Sequence, residues 1–257
     1  MSDLPPGGVI QSTALMPAAG GRVFENTRQV RLGDANLAGR LRLDALARHL
    51  QDVATDDSAD SGMSHEPMVW VVRRAAMAVT RWPRYQERVA YSTFCSGRGP
   101  HWAERRTSGR GTGGGHLEAA VLWASVDATS GRLAPLTPAF DRVWGSAAAG
   151  RMVSARLHHP APGADAVGRP WTVRATDIDV MGHVNNAVHW EAVEDEMARS
   201  LPGRVPVAAE CEYRQPIDLD CDVLQVLART DGNTLHLWLT SRRGVHASAV
   251  VSTEPGD

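Results

Sequence analysis

The sequence predicts an α+β fold built twice: two long helices, each followed by a run of antiparallel strands. Two observations carry this. A gapless internal repeat joins Val30–Ala54 (VRLGDANLAGRLRLDALARHLQDVA) to Val173–Met197 (VRATDIDVMGHVNNAVHWEAVEDEM) at an offset of 143 residues. After each copy, the apolar period changes from that of a helix to that of a strand.

Within the repeat, Val30 matches Val173, Arg31 matches Arg174, Asp34 matches Asp177 and Gly39 matches Gly182. Each copy reads as a short strand, a Gly-containing loop and an amphipathic helix. Leu43, Leu46, Ala47, Leu50, Val53 and Ala54 form one apolar stripe, and Ala187, Trp190, Val193 and Met197 form the other. Asn185 or Asn186 is placed to cap the second helix through a side-chain oxygen. The strands predicted in the first half are 68–72, 75–82, 88–95, 101–108 and 118–127. Those in the second half are 207–215, 222–230, 234–242 and 245–252. Arg81-Trp82-Pro83 resembles Arg214-Gln215-Pro216 at an offset of 133, so the first half carries about ten more residues between helix and strand. The glycine-rich stretch 107–115 lacks the Gly-Lys-Ser/Thr ending of a phosphate loop and reads as a hairpin turn.

The reading divides the chain into four parts: a loose tail, 1–21; a first domain, 22–144; an Ala/Gly/Pro-rich linker, 145–168; and a second domain, 169–257. A helix wrapped by a curved antiparallel sheet is the hot-dog arrangement. One copy leaves a sheet edge open. The expectation is therefore a tandem double hot-dog in which one continuous sheet wraps both helices.

Composition narrows the function. The 257 residues are 43% hydrophobic and 22% charged, with a formal net charge of −2. That balance does not suggest a nucleic-acid partner. All 27 basic residues are arginine, so Schiff-base and P-loop lysine chemistry are excluded. Cys95, Cys211 and Cys221 have no metal-knuckle spacing and read as free thiols in a reducing cytoplasm. No apolar run is long enough to span a bilayer, and no membrane partner is expected.

The chemistry concentrates in Thr176–Asn186, where two carboxylates, a histidine and two amides lead into a helix. Unpaired N–H groups at a helix start can hold a carbonyl oxygen as it gains charge, and a nearby carboxylate can activate water. Asp179-x-x-x-His183-Val184-Asn185-Asn186 resembles the signature of plant and bacterial acyl-acyl carrier protein thioesterases. The first half resembles the same family at Phe24-Glu25, Val30-Arg31, Leu50-Gln51-Asp52-Val53-Ala54, Trp70, Arg81-Trp82-Pro83 and Trp123, so that the likeness runs from about Arg22 to Ser252.

The resemblance implies Asp179, His183 and Asn185 as catalytic residues and Gly182 and Asn186 as substrate-binding residues. It implies acyl carrier protein as partner; the fused repeat allows a monomer, with a homodimer as the alternative, and the mechanism needs no metal or organic cofactor. Met181 stands where the family has an Asn, and Pro216 and Ile217 where plant members have an acid and a Cys. His189 stands where the family has a Tyr. The repeat adds an independent point. Asp179 aligns with Asn36, His183 with Arg40, and Asn185 and Asn186 with Arg42 and Leu43, so only the second copy carries the reactive set.

Other readings are plainer. Asp177 repeats Asp34 and reads as structural. Glu191, Glu194, Asp195 and Glu196 read as a solvated helix face, and Cys211 as a buried inert thiol. Arg73-Arg74, Arg105-Arg106 and Arg242-Arg243 are candidate basic patches for an acidic carrier. The alternatives are a hydratase-like or acyl-CoA-hydrolysing relative with the same fold, and a weakly active or non-catalytic acyl-thioester binding protein.

Overall fold

The computed structural model describes residues 15–63, 68–221 and 224–256. Most of the tail expected before Arg22 therefore lies outside the described residues, as do Asp222 and Val223.

The first half runs β1 (Phe24–Gln29), α1 (Leu43–Asp60), β2 (Met68–Arg81), β3 (Arg88–Arg98), β4 (Trp102–Gly111) and β5 (His116–Asp127). Short helical turns occupy 138–148. The second half runs β6 (Val167–Pro170), α2 (Val188–Ser200), β7 (Arg204–Tyr213), β8 (Gln225–Asp231), β9 (Thr234–Ser241) and β10 (Gly244–Pro255). The strands form one ten-stranded sheet in the order β1-β3-β4-β5-β2-β7-β10-β9-β8-β6. This is the double hot-dog predicted from the repeat.

The halves join where β2 pairs antiparallel with β7, from Arg74↔Glu212 to Ala78↔Ala208. Each half thereby covers the edge that the other would leave exposed. The two strands predicted at 68–72 and 75–82 are one strand. A bulge between Val72 and Arg74 shifts the pairing register with β5, so Val72 and Ala75 both reach the core although three residues apart. That phase change is why the alternation read as two segments. β6 was not predicted. It is four residues long, and Gly168 and Pro170 give it no strand signal.

Both helices pack on one face of the sheet and against each other. Leu43, Leu46, Leu50 and Val53 of α1 share a single core with Trp190, Val193 and Met197 of α2. The opposite face is crossed by residues 151–160, held by sheet side chains. Trp102 Nε1 donates to the Val153 carbonyl at 2.8 Å, and Trp238 Nε1 donates to that of Pro160 at 2.8 Å. The fully buried Glu212 accepts from the backbone N–H groups of His158 and His159.

Candidate active site

The two loops of the repeat fold alike. In the first, Arg31 N donates to Asp34 Oδ2 at 2.8 Å, and in the second Arg174 N donates to Asp177 Oδ2 at 2.8 Å. Asp177 is thus structural, as the repeat implied. Ala35 bridges Leu41, and Ile178 bridges Val184 at the matching positions. Gly39 and Gly182 take φ of +73° and +79°, a turn conformation that glycine adopts without strain. Asn36 Oδ1 accepts from Ala38 N at 3.1 Å, and Asp179 Oδ1 accepts from Met181 N at 2.9 Å. In both copies the side chain at this position closes the turn.

The copies diverge in what surrounds the turn. In the first, Arg40 is buried, lies over the Trp82 ring at 4.8 Å and pairs with Glu194 Oε2 at 2.7 Å. Glu194 Oε1 also accepts from Leu43 N at 2.7 Å, capping the start of α1 from across the helix pair. Side chains therefore fill the space beside the first loop. In the second, a cavity of about 900 Å³ opens beside the loop. Ile178, Asp179, Val180, Met181, Asn185 and Asn186 line its mouth. One face of α1 supplies a wall through Gln51, Ala54, Thr55 and Ser58. Trp70, Phe140 and Trp144 stand deeper, with ring centroids 5.6 Å apart for Trp70–Phe140 and 5.3 Å for Phe140–Trp144.

The structure brings three of the five predicted site residues together. Asn185 Nδ2 donates to Asp179 Oδ2 at 3.1 Å, and Asn185 Oδ1 accepts from Ala187 N at 3.0 Å. Asn185 thus ties the carboxylate to the start of α2. Asn186 lines the cavity, and among the described residues its backbone N–H has no acceptor and its side-chain amide no partner. Its carbonyl accepts from Tyr213 Oη at 3.1 Å.

Gly182 and His183 lie outside the cavity lining. The Gly182 N–H is spent on the Asp179 carbonyl at 2.9 Å. The half-exposed His183 ring makes its Nδ1 contact with Asp218 Oδ1 at 2.9 Å, and Arg243 holds the other Asp218 oxygen at 2.9 Å. The Arg243 hydrogen bond, most of all, and the His183 contact keep the Asp218 carboxyl below its usual range.

Behind the loop, burial drives the His189 pKa down to about 4, so the ring is neutral. It meets Tyr213 edge-on at 5.1 Å. Cys95 is on the cavity wall, but burial raises its thiol to about 11 and leaves it protonated. Cys211 is 1% exposed, does not line the cavity, and is raised further by burial.

Two readings of charge are corrected. Glu194 and Glu196 do not belong to a solvated face: Glu194 caps α1, and the buried Glu196 binds Arg169 at 2.9 Å. Arg73-Arg74 and Arg105-Arg106 are not surface patches. Residues alternate across a strand, so Arg105 turns toward α1 and pairs with Asp57 at 2.6 Å, while Arg74 and Arg106 are buried. Arg105 and Trp144 of the cavity wall are both held by the buried Asp57, which also accepts from Trp144 Nε1 at 2.8 Å. This set was not legible beforehand, because its members lie in three separate elements.

Among the described residues, no helix is long and apolar enough to cross a membrane.

The acyl-ACP thioesterase N-terminal domain matches residues 21–142, and the acyl-ACP thioesterase C-terminal domain matches residues 163–252. An uncharacterized protein of Mycobacterium tuberculosis is 26% identical over 197 residues, 77% of this chain and 79% of that one. The solved 12:0-ACP thioesterase from Umbellularia californica has a TM-score of 0.77 at 20% identity, covering 91% of this chain and 97% of its own. An acyl-ACP thioesterase from Bacteroides thetaiotaomicron has a TM-score of 0.70 at 17% identity, covering 90% and 98%. These structures share the fold, and the two domain matches together span most of the sequence. The chain belongs to the acyl-ACP thioesterase family and is a thioesterase.

Proposed function

We propose that the chain releases free fatty acid from acyl carrier protein, with Asp179 as general base and the Asn186 N–H as donor to the thioester oxygen. The observation that carries this is the position of Asp179 on the cavity wall, tied through Asn185 to a helix start whose Asn186 N–H has no acceptor among the described residues. The acyl chain lies along Ala54, Thr55 and Ser58 toward Phe140 and Trp144, and the carrier arm enters past Val180 and Met181.

The thioester oxygen accepts from Asn186 N–H, which stabilises negative charge as the carbonyl carbon becomes tetrahedral. Asp179 takes a proton from water, and the water oxygen bonds to that carbon. The carbon–sulfur bond then breaks. Asp179 returns the proton to the departing sulfur, leaving a carboxylic acid and a free thiol. A metal ion has no assigned step.

Asp179→Asn is the decisive variant. Asn36 already occupies the equivalent turn of the first copy, so the loop accepts an asparagine there. Expected is a melting temperature close to that of the parent and a loss of turnover of about 10²–10⁴-fold in a thiol-release assay. Turnover within threefold of the parent, taken as roughly the spread of a neutral change, rejects the proposal. Running the assay on carrier-protein and coenzyme A thioesters of varied chain length identifies the thiol carrier.

A further inference from the structure

The geometry points to Gln51 of α1 as a second hydrogen-bond donor to the thioester oxygen, reaching the start of α2 from across the helix pair. This rests on the hydrolytic reading above. The evidence is internal to the molecule. The offset that aligns Leu43 with Asn186 aligns Gln51 with Glu194. Each helix therefore presents one side chain to the first turn of the other. In the first copy the result is visible: a Glu194 carboxylate oxygen sits 2.7 Å from Leu43 N, where an oxyanion would bind. In the second copy the matching N–H, that of Asn186, has no acceptor among the described residues, and the matching side chain is a neutral amide.

Three further observations place Gln51 there. Gln51 and Asn186, with Trp123, line both the large cavity and a recess of about 20 Å³ beside it. The Gln51 side-chain amide has no hydrogen-bond partner among the described residues; Thr55 Oγ1 bonds only its backbone carbonyl, at 3.0 Å. The position of Arg40, which pairs with Glu194, is taken in the second copy by His183, which makes its contact with Asp218.

The amide matters because of what an acid would do. A carboxylate at position 51 would accept the Asn186 N–H, as Glu194 accepts that of Leu43, and would repel the charge that develops on the substrate oxygen. An amide leaves that N–H free and adds a donor of its own. One helix pair thus has a self-capped end and an open end, and the chemical difference between glutamate and glutamine decides which is which.

The test uses full-length protein and an acyl-carrier-protein thioester substrate. Gln51→Ala should lower kcat by about 10²–10³-fold, the range for a lost donor of this kind, with KM changed less than about threefold. Gln51→Glu should lose more than Gln51→Ala at pH 7–8. Its activity relative to the parent should rise as the pH falls toward the carboxyl range of about 4–5, where the new acid takes up a proton. Neither change removes a contact that holds the fold, and melting temperatures verify this. A Gln51→Ala enzyme with parental kcat, or a Gln51→Glu to parent ratio that is flat with pH, overturns the inference. Parent protein and Asp179→Asn, assayed alongside, separate the claims: no thiol release by the parent would reject the hydrolytic reading itself, and full activity of Asp179→Asn would reject Asp179 as the base. Loss of activity in Asp179→Asn with parental behaviour in both Gln51 variants would reject only the role of Gln51.

Discussion

Asp179 shows how little a single side chain has to change for a turn to become a site. Asn36 and Asp179 make the same bond to the backbone two residues on. What Asp179 adds is a second oxygen with negative charge, held by Asn185 and open to a cavity. His189, close behind, has a pH signature. Its pKa is about 4 in the folded chain against 6.5 for a free histidine, because burial disfavours the charged ring. Between those values the unfolded chain binds the extra proton. Its stabilising effect is therefore complete above pH 6.5 and is lost as the pH falls toward 4, by about 3 kcal/mol in all. Urea midpoints measured from pH 7 to pH 4 should fall, and His189→Gln should fall less steeply. Equal slopes would show that the ring does not carry that linkage. The acid, the amides and their spacing were legible in the sequence, since a loop motif is local. The outward turn of His183 toward Asp218 was not, because its partner is 35 residues away.

At the level of elements, α1 serves both copies. Its apolar stripe builds the shared core, while the flank carrying Gln51, Ala54, Thr55 and Ser58 lines the cavity. The helical turns at 138–148 set its depth. Phe140 is 3% exposed and packs between Trp70 and Trp144, and Trp144 is anchored to Asp57. Phe140→Ala leaves that anchor in place and lengthens the cavity. Preference should move to longer acyl chains, with each added methylene that finds room worth about tenfold in kcat/KM. A chain-length series on parent and variant measures this; an unchanged optimum would mean that the acyl chain ends short of Phe140. The strand periods exposed most of these elements to the sequence. The bulge in β2 and the four residues of β6 escaped it, because neither has an alternation of its own.

Over the whole molecule, the seam between β2 and β7 makes the halves interdependent. The cavity takes Asp179 and Asn186 from one half and Gln51, Trp70 and Phe140 from the other. Residues 15–150 and 151–257 produced separately should therefore each be inactive, and co-expression should restore thiol release. Turnover by the second half alone would show that it builds an acyl pocket without the first.

The sequence by itself determined the duplicated fold, the family and the copy that carries the acid, because periodicity, repeat and loop chemistry are written in consecutive residues. Only the tertiary structure decided which end of the helix pair is open. Glu194 lies 151 residues from the N–H it caps, and Gln51 lies 135 residues from Asn186, with which it lines the cavity. Nothing in the local spacing of either residue reports on a neighbour that packing alone brings close.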